Sequence, residues 1–146
     1  MTKLNILCFI SWITLCSCND MIEKEQFLIP DDYKGMITIY FSESMGKAQK
    51  YNDKTRMYEI DVKGELKTQF PPNYGVRPMK MMSFKYKATP KNKIIPHVST
   101  VGKDYHGVVV QGPYIVDNKL YLIIDNIDKL KDYKNPAIDE NERQWK

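Results

Sequence analysis

Met36-Ile37-Thr38-Ile39-Tyr40-Phe41 is a run of β-branched, aromatic and apolar residues with a period of two. Such side chains pack well on a pleated surface. The alternation sets Ile37, Ile39 and Phe41 on one face and Thr38 and Tyr40 on the other. The stretch reads as a strand with one buried face. The pattern recurs downstream. Arg56–Val62 places Tyr58, Ile60 and Val62 inward, with Glu59 and Asp61 outward. Lys63-Gly64 then predicts a tight hairpin turn into Glu65–Phe70, where Leu66, Thr68 and Phe70 point inward. In Met79–Lys87 the residues Met82, Phe84 and Tyr86 share a face, and the broken alternation at Met79-Lys80-Met81 predicts a bulge or burial on both sides.

Toward the C-terminus, His106–Val116 and Lys119–Asp125 predict a hairpin joined by Asp117-Asn118, residues that accept positive φ. The continuous apolar runs Val108–Val110 and Leu120–Ile124 fit strands buried on more than one side. Asn126–Tyr133 has helical spacing, with Asn126 as its cap. Turn chemistry at Asp31–Gly35 and Pro71–Gly75 separates the strands. Five to seven strands spaced in this way predict an all-β fold. The expectation is an antiparallel β-sandwich, immunoglobulin- or transthyretin-like, over residues 27–133, with a short C-terminal helix.

Upstream lies a different kind of segment. Lys3 precedes Leu4–Leu15, 12 residues that are apolar apart from Asn5, Ser11 and Thr14. As a helix that run spans roughly 18 Å, short of the ~20 residues a membrane span needs, so it reads as a signal peptide. Leu15-Cys16-Ser17-Cys18 follows. It resembles the lipobox of bacterial lipoproteins, in which a diacylglycerol joins the thiol and cleavage falls just before the cysteine. Cys18 is the expected lipid site because small Ser17 precedes it, whereas bulky Leu15 precedes Cys16. The expected organisation is a signal peptide over residues 1–17, a lipidated tether over 18–26, the β domain over 27–133 and a charged tail over 134–146. Two or more acyl chains hold a protein stably, so the expected address is the cell envelope, at the outer membrane or cell surface. Cys8 and Cys16 leave with the signal and Cys18 is alkylated. That excludes a cysteine nucleophile, a thiolate metal site and a disulfide framework.

Phe27-Leu28-Ile29-Pro30-x-x-Tyr33-x-Gly35, the Tyr58-x-Ile60-x-x-x-Gly64 turn and the Leu66-x-Thr68 step together resemble an uncharacterised family of small bacterial lipoproteins. The resemblance spans Phe27 to Asp125. Asp32 stands where that family tends to have glycine. The resemblance implies a β-rich envelope domain and hands over no active site.

The chain carries 22 Lys and Arg against 18 Asp and Glu, a net charge of +4. That balance says less than its distribution. Leu66 to Lys103 contains no acidic residue, and the acids resume from Asp104. Asymmetry of this kind marks a candidate face for anions, here Lys80, Lys85, Lys87, Lys91 and Lys93. An anionic glycan, lipopolysaccharide or an envelope protein would suit it. Ten tyrosines add a stacking surface, with Tyr33, Tyr40, Tyr51, Tyr74, Tyr105 and Tyr114 near turns or on outward faces. No nucleic-acid motif is present.

Catalytic chemistry has little to build on. His97 and His106 are the two histidines, and nothing at ligand spacing pairs them, so no metal or cofactor is expected. Asp31-Asp32 reads as a turn, and Asp125, Asn126 and Asp128 as helix capping without the pattern of a calcium loop. The expected function is a membrane-anchored, non-catalytic binding or scaffold domain. The alternative is a hydrolase acting on an envelope or extracellular polymer, which needs two acids within ~5–9 Å of each other in a pocket.

Overall fold

The computed structural model describes residues 22–75, 78–88 and 93–136. The expected signal peptide, Cys18, Lys91 and residues 137–146 lie outside the described residues. The described residues are all-β, with eight strands in two four-stranded sheets. In order they are β1 (Lys24–Ile29), β2 (Gly35–Tyr40), β3 (Tyr51–Asn52), β4 (Thr55–Glu59), β5 (Glu65–Lys67), β6 (Met82–Tyr86), β7 (Val108–Val116) and β8 (Lys119–Asn126). One sheet runs β3-β4-β1-β6 and the other β5-β2-β8-β7.

Alternation does here what it promised. Ile37, Ile39 and Phe41, then Leu66, Thr68 and Phe70, then Met82, Phe84 and Tyr86 are all buried. They join Phe27, Ile29, Tyr58 and Ile60 with Leu120, Leu122 and Ile124, and one core lies between the sheets. Phe27 sits at its centre, stacked on Phe84 at 5.0 Å and tilted against Tyr58 at 5.0 Å.

The expectation of antiparallel sheets is corrected. β1 pairs in parallel with both β4 and β6, and β2 pairs in parallel with β5. The antiparallel pairs are β2 with β8, β7 with β8, and β3 with β4. A strand with one buried face alternates identically whichever way its neighbour runs, so the sequence carried no signal for direction. The hairpin expected across Lys63-Gly64 is corrected too. The turn exists, but β4 and β5 belong to different sheets. Asp61 makes the crossing: its Oδ1 accepts the N–H groups of Lys63 at 2.9 Å and Glu65 at 2.8 Å. Val62, expected inside, is therefore 82% exposed in that turn.

Gly64 allows the sharp reversal with φ +80°. An added Cβ would lie 2.9 Å from the Met36 carbonyl and against the Tyr33 hydroxyl. Gly64→Ala is expected to lower stability by about 2 kcal/mol, read as a shift of the urea midpoint at unchanged slope.

Other boundaries move. β1 begins at Lys24, three residues before the expected start of order, because Glu25 is a buried side chain and not part of a solvated tether. Met79–Met81 is a 3-10 turn and not a bulge. The register slip lies instead between Gln111 and Tyr114, where the Gly112-Pro113 peptide is cis. The hairpin at Asp117-Asn118 is present, with Asp117 at φ 50°. The C-terminal helical stretch is 3-10, Ile127–Asp132, and Asn126 makes no side-chain cap bond. Asp125 takes the organising role: its carboxylate accepts from the Asn126 N–H at 2.7 Å and from the Tyr133 hydroxyl at 2.8 Å. Burial, followed by this bond, pushes the Tyr133 phenol up to about 12.

Candidate functional site

The parallel run of β1, β4 and β6 brings their N-terminal ends to one end of the domain. There the first sheet opens into a cleft of about 1170 Å³. Ile22, Glu23 and Lys24 form one wall, and Pro71, Pro72, Asn73 and Tyr74 another; Tyr51, Asp53, Lys54, Arg56 and Met81 complete it. Arg56 and Asn73 are buried, at 7% and 6% exposure, whereas Tyr51 and Tyr74 stand out at 46% and 62%.

A polar network holds the cleft floor. Arg56 donates from Nε to the Glu23 carboxylate and from a terminal nitrogen to the Pro71 carbonyl at 2.6 Å. Its guanidinium lies 5.0 Å over the Phe70 ring. Asn73 donates to the Glu23 carbonyl at 3.0 Å. Behind Arg56, the Tyr58 hydroxyl donates to the Glu25 carboxylate at 2.9 Å. Burial, then the Glu25 charge, raises the Tyr58 pKa far above that of a free phenol. Glu23, Glu25, Arg56 and Tyr58 thus form a linked set. The planar fork of arginine suits it, since one side chain satisfies a carboxylate, a carbonyl and an aromatic face at once.

A second feature lies on the outer face of the same sheet, toward the opposite end. Leu28 of β1 registers with Glu59 on β4 and with Lys85 on β6, which places Glu59 and Lys85 about 10 Å apart. Lys50 pairs with the Glu59 carboxylate, and Lys47 donates to the Glu59 carbonyl at 3.1 Å. Lys87 donates to the Ile60 carbonyl. The Lys50 hydrogen bond leads in holding Glu59 below the usual carboxylate range. Burial leads in lowering Lys87, and the like charge of Lys47 adds to it.

Of the lysines singled out in the sequence, Lys85 and Lys87 share this region. Lys93 is exposed beside them, its carbonyl accepting from the Tyr86 N–H at 3.2 Å. Lys80 sits at the other end of β6, next to cleft-lining Met81, and is not in the group. Lys91 lies outside the described residues. Sequence reading missed Lys47 and Lys50, which come from the loop after β2 and meet β4 through space. It also missed Arg56 and Glu25, whose partners are far away in sequence. A charged residue at an inward position of an alternating strand was the available signal.

The remaining candidates are structural. His97 contacts the Ser99 hydroxyl at 2.7 Å and the Gly112 carbonyl at 2.6 Å. His106 is exposed, 4.0 Å from Asp128. Asp32 adopts φ 57°, the left-handed turn conformation that glycine would serve. Asp31 accepts from the Ala88 N–H at 3.3 Å. Among the described residues, no three His, Cys, Asp or Glu side chains group in a way that could hold a metal ion. No described helix is long and apolar enough to cross a membrane.

A model for a family of unknown function (DUF6843) matches residues 22–82. That stretch contains Glu23, Glu25, Arg56, Tyr58 and Asn73, the whole polar floor of the cleft. No curated protein matches the chain. Among solved structures, the chain is similar to a protein provisionally described as a lipoprotein, from Bacillus anthracis. The two are 9% identical over 84% of this chain and 92% of that one, with a TM-score of 0.48.

Proposed function

We propose that this protein is a lipid-anchored lipoprotein of the bacterial cell envelope, at the outer membrane or cell surface, whose β domain binds and does not catalyse. The observation that carries the reading is Leu15-Cys16-Ser17-Cys18 behind a 12-residue apolar run. Only five residues separate Cys18 from Lys24, the first residue of β1. A binding role fits the two acids of the polar network at and behind the cleft floor, while Asp53 stands on the rim. Glu23 is held by Arg56 and Glu25 by Tyr58, and Glu25 is only 1% exposed. Carboxylates already committed to internal donors suit a framework better than acid–base work at a substrate.

The ligand class follows from the second feature. Lys47, Lys50, Lys85, Lys87 and Lys93 gather around Glu59, with Asp61 a second acid acting on Lys87. An anionic glycan or lipopolysaccharide would relieve that like-charge crowding. Substituting Lys47, Lys85 and Lys93 by glutamine is expected to weaken salt-sensitive retention on heparin or lipopolysaccharide about tenfold, at up to ~1 kcal/mol for each exposed charge. Salt-insensitive retention that the substitutions leave unchanged would remove the anionic ligand.

A further inference from the structure

We propose that the cleft end of the domain is a membrane-docking surface that seats in the headgroup layer of the leaflet carrying the anchor; the inference rests on lipidation at Cys18. Position comes first. β1, β4 and β6 are parallel, and the chain reaches this end at Lys24. Six residues from Cys18 extend at most about 20 Å. The cleft, lined by Ile22, Glu23 and Lys24 themselves, is therefore the part of the domain that the anchor keeps nearest the bilayer.

Chemistry agrees with position. Tyr51 and Tyr74 stand on the cleft walls at 46% and 62% exposure; the Tyr51 ring packs edge-on against Phe70 and the Tyr74 hydroxyl donates to Asn118 at 3.4 Å, which leaves part of each ring to the headgroup layer, where such amphipathic rings settle. Ile22, Pro72 and Met81 add apolar surface beside them. Lys24, Lys54 and Lys80 are exposed around this end, where long stems let ammonium groups reach phosphates while the stems stay in the apolar layer. Asp53 on the rim and Asp117, next to the Asn118 that Tyr74 reaches, are opposing charges; Glu23 pairs with Arg56. The other end of the sheet differs. There Asp31, Asp32, Asp61 and Glu65 lie among Lys34, Lys63 and the lysines around Glu59, and Met36, Val62 and Ile94 are exposed; what sets the cleft end apart is its nearness to Cys18, with two tyrosines on its walls. Docked on the cleft end, the domain holds the lysines around Glu59 away from the bilayer, available to a polymer.

The mature chain has one cysteine, Cys18, so an introduced cysteine becomes the single labelling site on the lipidated protein. Lys80→Cys and Val62→Cys would each carry an environment-sensitive fluorophore, in vesicles of equal parts phosphatidylethanolamine and phosphatidylglycerol. The label at 80 is expected to shift blue and to be quenched by lipid-borne nitroxide, and the label at 62 to report water. Adding Tyr51→Ala and Tyr74→Ala should erase the difference. Equal water exposure of both labels in lipidated protein would overturn docking. A second arm uses the unlipidated Cys18→Ser mature chain. Its partition onto the same vesicles should fall about 30-fold with Lys24→Gln and Lys54→Gln, at ~1 kcal/mol per lysine near an anionic surface. An unchanged partition would also overturn the proposal. The mass of the mature N-terminus reports lipidation separately, so loss of the anchor reading and loss of docking give different results.

Discussion

Phe27→Ala is expected to destabilise the domain by about 4 kcal/mol, in the range that removal of a large buried aromatic side chain brings. Phe27 is fully buried on β1, the strand flanked by both β4 and β6. It stacks on Phe84 and tilts against Tyr58, so truncation opens a cavity that rings on two other strands border. Tyr58 also donates to buried Glu25, and a shifted ring would loosen that bond. Chemical denaturation would show a lower midpoint with an unchanged slope. A change below about 1 kcal/mol would mean that β1 is not the centre of this sheet, since peripheral substitutions stay within that range. Leu28→Ala, one residue on and facing outward, is the matched control and should cost much less.

The second large effect concerns the anchor. With a plain secretory signal in place of residues 1–17, a Cys18→Ser chain is expected in the soluble fraction after a high-salt wash, while the native chain stays with the membrane. The difference is large because acyl chains contribute about 0.8 kcal/mol per buried CH₂, and two chains hold where one is marginal. The docking surface alone, a few lysines and tyrosines, is too weak to retain the domain at high salt, where exposed charges are screened. Membrane retention of the Cys18→Ser chain under those conditions would point to attachment through the folded domain.

The strands were legible where the information was local. Ile37-Thr38-Ile39 and Phe84-Lys85-Tyr86 show their buried faces by alternation alone. The turn at Asp117-Asn118 joins strands that are neighbours in sequence, so pairing and turn chemistry agree. Direction and partnership were not local. β1 finds β4 and β6 across long stretches of chain, and Asp61 turns the chain out of one sheet into the other where a hairpin was the simpler reading. Burial of Glu25 within Lys24-Glu25-Gln26 was hidden for the same reason. A glutamate in a polar run looks solvated unless Tyr58 and Arg56, more than 30 residues away, are known to line its pocket. The basic group was half legible. The acid-free stretch marked Lys85, Lys87 and Lys93, but the fold exchanges Lys80 for Lys47 and Lys50.

The central claim is that a β domain is tied by Cys18 close against a membrane. The intact mass of the mature chain, extracted from envelopes in detergent, tests it most directly. The expected result is a chain that begins at Cys18 and carries a diacylglycerol on the thiol. A mature chain that begins elsewhere, or with an unmodified Cys18, would contradict it.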